Sequence, residues 1–476
     1  MASPLFDEWV ANHPDRPVGG VHDSVLRIFS RPVASTAALP RRTQDQSVRD
    51  LRCMMLLCQK MAHTGSGIVS KELVDRGETS GLTRYAVLCG GYESGAGAEA
   101  FSHPPTEFET VVFSTADSDG LPFPIPGMSN VMPYPSMRFR DLTPSQLAKY
   151  VEVWMRAIRD LVSGFHPQLL HVHHLWVLAA VAKAAANLPV LVSVHGTDLE
   201  RAIECPHLRS AIQPWASKIE RIICLTSDDA ATVQFLYGVP ERIIRIFGNG
   251  FNERLFFPGA SLVHPVAGRY GLDGLSGRRI VLFVGKFDER KGIEFLLRTF
   301  SQVVAAAGPE VALVVAGDGP LERRREYQEL CRRLDLVDLV RFLGHVPYED
   351  VGALMDACSV FVLPSFQEPF GLVVLEALAS GCRVVVTDQR GPREFIPAGL
   401  RASRDVILVN GLPSLAPSPD EQDAFVRELT SAVLEQLRKP ISGKVRERIA
   451  RAVAGLDWAS YMAKLLHEYR SLLVAR

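Results

Sequence analysis

Two acidic side chains, Glu368 and Glu376, stand eight positions apart in Ser365-Phe366-Gln367-Glu368-Pro369-Phe370-Gly371-Leu372-Val373-Val374-Leu375-Glu376. The segment follows an apolar run ending near Leu363, and Glu376 interrupts an apolar helical pattern over Leu372 to Leu378. On one continuous helix the spacing is a rise of about 12 Å, roughly two turns. Carboxylates so placed suit an extended ligand with hydroxyls at both ends and a diphosphate between. Free backbone N–H groups at a helix start around Gly371 and Leu372 can cradle phosphates, and Gly371 lets the backbone approach closely. The plainer alternative is one carboxylate in a solvated loop and one on a wet helix face.

Three further groups of residues can do chemistry. In Val284-Gly285-Lys286-Phe287-Asp288-Glu289-Arg290-Lys291-Gly292 two lysines lie five positions apart just past an apolar run. Cations fixed at a strand end can balance a diphosphate leaving group as its charge develops; otherwise they are solvated surface lysines. Thr64-Gly65-Ser66-Gly67 is half of a dinucleotide fingerprint, but Ser70 holds its sixth position, which argues against a dehydrogenase. His171, His173 and His174, and then His195-Gly196-Thr197-Asp198, close two apolar runs. Histidine at a strand end can ligate metal, act as a base or orient a hydroxyl. Spacing does not establish three converging ligands, so no metal is expected.

The elements that must hold these residues alternate regularly. Strands are expected at Arg52–Gln59, Tyr85–Gly90, Thr110–Ser114, Leu169–His173, Val190–His195 and Arg221–Leu225, with helices at Ile68–Arg76, Ser145–Phe165, Trp176–Asn187 and Asp228–Tyr237. A Gly- and Pro-rich stretch, Pro258 to Arg279, reads as a linker. Strands then resume at Ile280–Val284, Val311–Ala316, Val340–Leu343, Ser359–Leu363, Arg383–Thr387 and Val406–Val409, separated by helices, with a last helix over Trp458–Leu473. Short buried strands between helices mean parallel sheets covered on both faces, and such sheets bind ligands beyond the carboxyl ends of their strands.

The totals exclude several classes. A net charge of −1 over 476 residues gives no field that draws nucleic acid or an anionic membrane, and Arg323-Arg324-Arg325 sits between Glu322 and Glu326 as a solvated face. The eight cysteines show no CxxC or Cys/His ligand spacing and read as buried thiols in a reducing compartment. Residues 1–10 do not resemble a secretory signal. The most apolar long stretch, Leu175 to Val194, is broken by Lys183, Asn187 and Pro189, so no membrane span is expected. The location expected is the cytoplasm, with peripheral membrane contact and oligomeric state left open.

Together, the carboxylate segment, the lysine loop, Gly317-Asp318-Gly319-Pro320 and Asn249-Gly250-Phe251-Asn252 resemble the E-x7-E glycosyltransferases of the GT-B fold, above all glycosyltransferase family four. The resemblance implies an α/β protein of two Rossmann-like, doubly wound domains facing a cleft. After an irregular stretch 1–48 come an acceptor domain over 49–265 and a donor domain over 266–456, with helix 457–476 crossing back to the first domain. It implies retaining transfer of a hexosyl group from a nucleoside diphosphate sugar, a UDP-sugar foremost, to a sugar-containing acceptor, without cofactor, metal or nucleic acid. Glu368 and His195 would contact the transferred sugar and Glu376 the donor ribose. Lys291 matches the family and Lys286 replaces its Arg. Phe370, Gly371 and Leu372 would meet the diphosphate, Val346 in Gly344-His345-Val346 the base, and Gly65 and Gly67, in a loop that approaches the donor phosphates or the acceptor, the donor. His173, His174 and Asp198 would face the acceptor. On the same architecture a glycoside phosphorylase, a nucleotide-sugar epimerase or a non-catalytic sugar-nucleotide-binding protein remain alternatives.

Overall fold

The computed structural model describes residues 51–474 apart from 62–63, 115–119, 130–131, 264, 276 and 413–416, so the expected irregular stretch 1–48 lies outside the described residues. Chain contacts divide the protein into two units. Among the described residues one comprises 51–223, Thr232–Ile244 and 472–474; the other comprises Cys224–Ala231 and Arg245–Ser471.

The first unit begins with β1 (Leu51–Leu57), β2 (Thr83–Gly91) and β3 (Glu107–Val112). Two-residue strands β4 (Pro126–Gly127) and β5 (Met137–Arg138) form a separate pair, and β6 (Leu169–His173), β7 (Val190–Ser193), β8 (Arg221–Cys224) and β9 (Ile244–Ile246) complete the sheet, the last residue of β8 and the last two of β9 grouping with the second unit. The main sheet has the order β3-β2-β1-β6-β7-β8-β9, and its pairs from β3 to β8 are parallel. Apolar runs such as Cys53–Leu57 are wholly buried, as expected of strands covered on both faces. Helices cover them by local rules. Helix Pro144–Phe165 starts at a Thr143/Gln146 capping box with proline in its first turn, and it buries Leu147, Val151, Trp154, Ile158, Leu161 and Phe165 at helical spacing.

The second unit contains β10 (Arg279–Val284), β11 (Val311–Ala316), β12 (Val340–Gly344), β13 (Val360–Leu363), β14 (Val384–Thr387) and β15 (Val406–Val409). They form one parallel sheet in the order β12-β11-β10-β13-β14-β15. Counted within the unit this is 3-2-1-4-5-6, the dinucleotide-binding order, and the winding reverses between β10 and β13. The first sheet reverses likewise between β1 and β6.

Several expectations change. The stretch 258–279 is not a bare linker: Val266, Leu272 and Leu275 are buried in the second unit's core, and the Asp356 carboxylate accepts from the backbone N–H groups of Gly259 (2.8 Å) and Ser261 (3.1 Å). Contacts group Arg245–Ser471 in the second unit, and the last helix, Trp458–Val474, falls within that span through Ser471. Helices Thr197–Glu204, Pro206–Ala216, Pro419–Arg438 and Gly443–Arg451 were not anticipated. All eight cysteines are buried. Among the described residues no helix is long and apolar enough to cross a membrane.

Candidate functional site

At the reversal of the second sheet, β10 and β13 pair directly, through Val281 with Val360 and Leu282 with Phe361, so their carboxyl ends adjoin. Beyond β10 the chain makes a tight loop. Phe287 turns inward, its ring 5.5 Å from Tyr327 and 6.1 Å from Phe342. Asp288 accepts from the Arg290 backbone N–H at 2.9 Å and pairs with its guanidinium. Gly292, at φ 69°, then starts helix Ile293–Ala307. The loop is sewn to the segment after β13, where the Phe366 N–H donates to the Arg290 carbonyl at 2.7 Å.

That seam brings Lys291 and Glu368 together. Lys291 Nζ lies 2.6 Å from Glu368 Oε2, and both side chains are largely but not wholly covered. Lys286 stands exposed at the strand end, yet crowding by surrounding protein, and secondarily the Lys291 charge, press its pKa below the usual lysine value.

Glu368 and Glu376 do not share one helix. Gly371 adopts φ 85° and helix Leu372–Ala379 begins only after it, so the span from Glu368 to Gly371 is loop and the 12 Å helical rise does not apply. A Cβ at Gly371 would stand 3.0 Å from Pro392 and 3.2 Å from Glu368, so the loop is folded tightly there. Glu376 is buried on the helix, and its Oε1 accepts from the Tyr348 hydroxyl at 2.7 Å. Tyr348 opens helix Tyr348–Ala357 and packs its ring on Phe256. Phe370 and Val346 are buried, with Phe370 against Phe395.

Sequence reasoning missed two residues here. Tyr348, the partner of Glu376, belongs to no motif that marks it. Arg324 ion-pairs with Asp318 at 3.0 Å, and its Nη2 would lie 3.0 Å from a Cβ at Gly344. Arg323 pairs with Glu326 and Glu289, in keeping with a solvated basic face.

In the first unit the reversal lies between β1 and β6, and the glycine loop and the histidines meet there. Thr64 caps helix Gly65–Ser80 by accepting from the Gly67 N–H at 3.2 Å, so that N–H is already engaged. A Cβ at Gly65 would meet nothing within 4 Å, so close approach does not require glycine there. Ser66 Oγ lies 3.1 Å from His174 Nε2. His171 Nε2 meets Ser193 Oγ at 2.8 Å, and His173 Nδ1 meets His195 Nε2 at 2.9 Å. Asp198 accepts from the N–H of Leu175 (2.7 Å) and of His195 (3.0 Å), tying the two strand ends together.

His173, His174 and Asp198, expected to face an acceptor, are sealed from solvent, whereas His195 and Thr197 are partly exposed. Sequence patterns do not distinguish a covered ring at a strand end from an open one. Burial alone would raise the Asp198 carboxyl; the His174 ring and the backbone donors outweigh it and hold the group below the usual carboxylate value. At 3.9 Å the His174 Nδ1 contact with Asp198 is too long for a hydrogen bond. No group of three or more His, Cys, Asp or Glu among the described residues is arranged to hold a metal ion.

Burial also lowers the histidines, His171 and His195 to about 3 and His173 well below the usual value. An unfolded histidine titrates near 6.5, so at lower pH the unfolded chain binds more protons than the fold. The stability these rings contribute is therefore complete above pH ~6.5 and falls as pH drops towards ~3, by about 1.4 kcal/mol per pH unit for each fully buried ring. Urea unfolding at pH 7, 6 and 5 is expected to show midpoints that fall with pH. A flat profile in which His171→Gln changes nothing would contradict this account.

Two family models match the chain. The model described as Glycosyltransferase Family 4 covers residues 106–255. The one described as Glycosyl transferases group 1 covers 278–435, which contains Lys286, Lys291, Glu368 and Glu376. The chain belongs to this glycosyltransferase family. The Thr64–Gly67 turn lies outside both matches. An uncharacterized glycosyltransferase of Methanocaldococcus jannaschii is 30% identical over 240 residues, which are 48% of this chain and 59% of that protein. This family member spans between 37% and 59% of the length of the first curated relatives it matches. Sucrose-phosphate synthase from Thermosynechococcus elongatus superposes with a TM-score of 0.65 at 19% identity, over 90% of this chain and 100% of that one. HepE of Anabaena, in complex with UDP and glucose, superposes at 0.63 with 18% identity, over 88% and 99%. The two parallel sheets are those of the GT-B glycosyltransferase fold.

Proposed function

We propose that this glycosyltransferase-family chain transfers a hexosyl group, with retention, from a nucleoside diphosphate sugar to a sugar-containing acceptor. The observation that carries the reading is the meeting of Lys291 and Glu368 at 2.6 Å where the second sheet reverses, the place where such sheets hold nucleotides. Glu376 would take the ribose, its carboxylate steadied by Tyr348. Lys286, Lys291 and the N–H groups at the start of helix Leu372–Ala379 would balance the diphosphate, so the reading assigns no metal to that task. Backbone groups at Gly344–Val346 would face the base. Glu368 and His195 would contact the sugar, and His195 and Thr197 are the partly exposed members of the first unit's cluster. A UDP-sugar is the donor of first choice, supported by the HepE complex with UDP and glucose. The cytoplasm is the location adopted, supported by the wealth of buried thiols.

A thermal-shift screen against UDP-, GDP-, ADP- and TDP-sugars tests the donor. One of them at about 100 times its dissociation constant is expected to stabilise the protein by about 2.7 kcal/mol. NMR of the product should then show the donor's anomeric configuration kept. Failure of every nucleotide sugar to shift the transition would sink the proposal.

A further inference from the structure

We propose that His173 is a positioning residue that fixes His195 in its Nδ1–H form, so that His195 offers a hydrogen-bond donor at Nδ1. The functional meaning rests on the reading above, in which His195 touches the sugar; the hydrogen-bond argument does not.

The backbone holds the two rings in place. Strands β6 and β7 pair with His173 opposite Ser193, and His195 follows two residues later, its N–H held by Asp198. The His173 ring lies between His171, at 4.8 Å between centroids, and His195, at 5.1 Å. Between His173 Nδ1 and His195 Nε2, 2.9 Å apart, one nitrogen must donate and the other accept. If His195 donated, neutral His173 would carry its proton on Nε2. That atom is shut from solvent and has no hydrogen-bond partner among the described residues. A buried N–H without a partner is a rarer and more costly fault than an under-used acceptor. The favoured arrangement therefore has His173 donating from Nδ1 and keeping a bare lone pair at Nε2. His195 then accepts at Nε2 and carries its own proton at Nδ1. In neutral imidazoles the bond made by one nitrogen sets the state of the other. Burial keeps these rings neutral, so a doubly protonated ring does not compete. A hydroxyl lying against His195 Nδ1 would be held as an acceptor, with its own proton directed elsewhere.

The test uses the full chain with 15N-labelled histidine and long-range proton–nitrogen correlations at neutral pH, His195→Gln identifying the signals of that ring. The expected result is His195 protonated at Nδ1 and bare at Nε2. The reverse pattern, or an even mixture, overturns the proposal whatever the protein does with substrates. In the assay with the donor that the screen identifies, His173→Phe keeps ring bulk without the bond and is expected to lower kcat about tenfold with KM little changed. His173→Asn, which returns a donor near the Nδ1 position, should recover most of that loss. Full turnover by His173→Phe would overturn the positioning role, and if that variant fails to fold the wild-type spectrum still decides. Should the spectrum be as expected while no nucleotide sugar is turned over, the positioning stands and the proposed function fails.

Discussion

Lys291→Ala is expected to lower kcat about a hundredfold or more while leaving the second unit folded. The stability side of this expectation is small: the Lys291–Glu368 pair is partly open to solvent, and such pairs contribute about 1 kcal/mol or less. The catalytic side is large. A cation fixed where charge develops costs no reorganisation as the bond breaks, and removing one such group typically lowers the rate about 10²–10³-fold. Loss of Lys291 also leaves Glu368 without its partner, so the carboxylate is free to swing from the sugar it is proposed to hold. Lys286→Ala should cost less, because that side chain is exposed and has room to move. Steady-state kinetics with the donor from the thermal screen, beside urea unfolding of the same variant, separates the two effects. Turnover within a few-fold of wild type would remove Lys291 from the chemistry.

Gly292→Ala should destabilise the second unit by about 3 kcal/mol and displace the lysine loop with it. Gly292 sits at φ 69°, where a side chain costs about 1–2 kcal/mol. A Cβ there would also lie 2.2 Å from the Pro364 carbonyl oxygen, a backbone atom next to the end of β13 that cannot rotate aside. Overpacking of this kind costs about 1–3 kcal/mol more. Gly81→Ala is the control: Gly81 has φ 65° but open space around it, so only the dihedral cost should appear. Urea midpoints for the two variants should differ clearly. Equal losses would mean that the loop yields where the geometry says it cannot.

How much was readable beforehand differs by element. Val311–Ala316 and Val406–Val409 coincide with their expected bounds because strands buried on both faces are unbroken apolar runs. Helix Pro419–Arg438 escaped notice because its outer face is polar, although Ser418 and Glu421 form a capping box that announces its start. The stretch 258–279 looked loose from its glycines and prolines, and three spaced apolar residues were enough to anchor it. The identities of Lys291, Glu368 and Glu376 were legible as motifs. The partnership of Lys291 with Glu368 was not, since it depends on β13 returning beside β10 after β11 and β12 have been laid on the other side. Tyr348 was invisible for the same reason, because nothing local marks a residue as the neighbour of a helix 28 positions further on.

The strand order also governs when the site comes into being during folding. Lys291 and Glu368 are 77 residues apart in the chain, and each must wait for a long loop to close before they meet. Non-local closure of this kind slows folding. A nascent chain that has emerged only as far as β12 can pair β10, β11 and β12 yet has no partner to offer the lysine. Sugar-nucleotide affinity would then arise only once β13 and the segment behind it have docked, so a half-made chain would not sequester the donor.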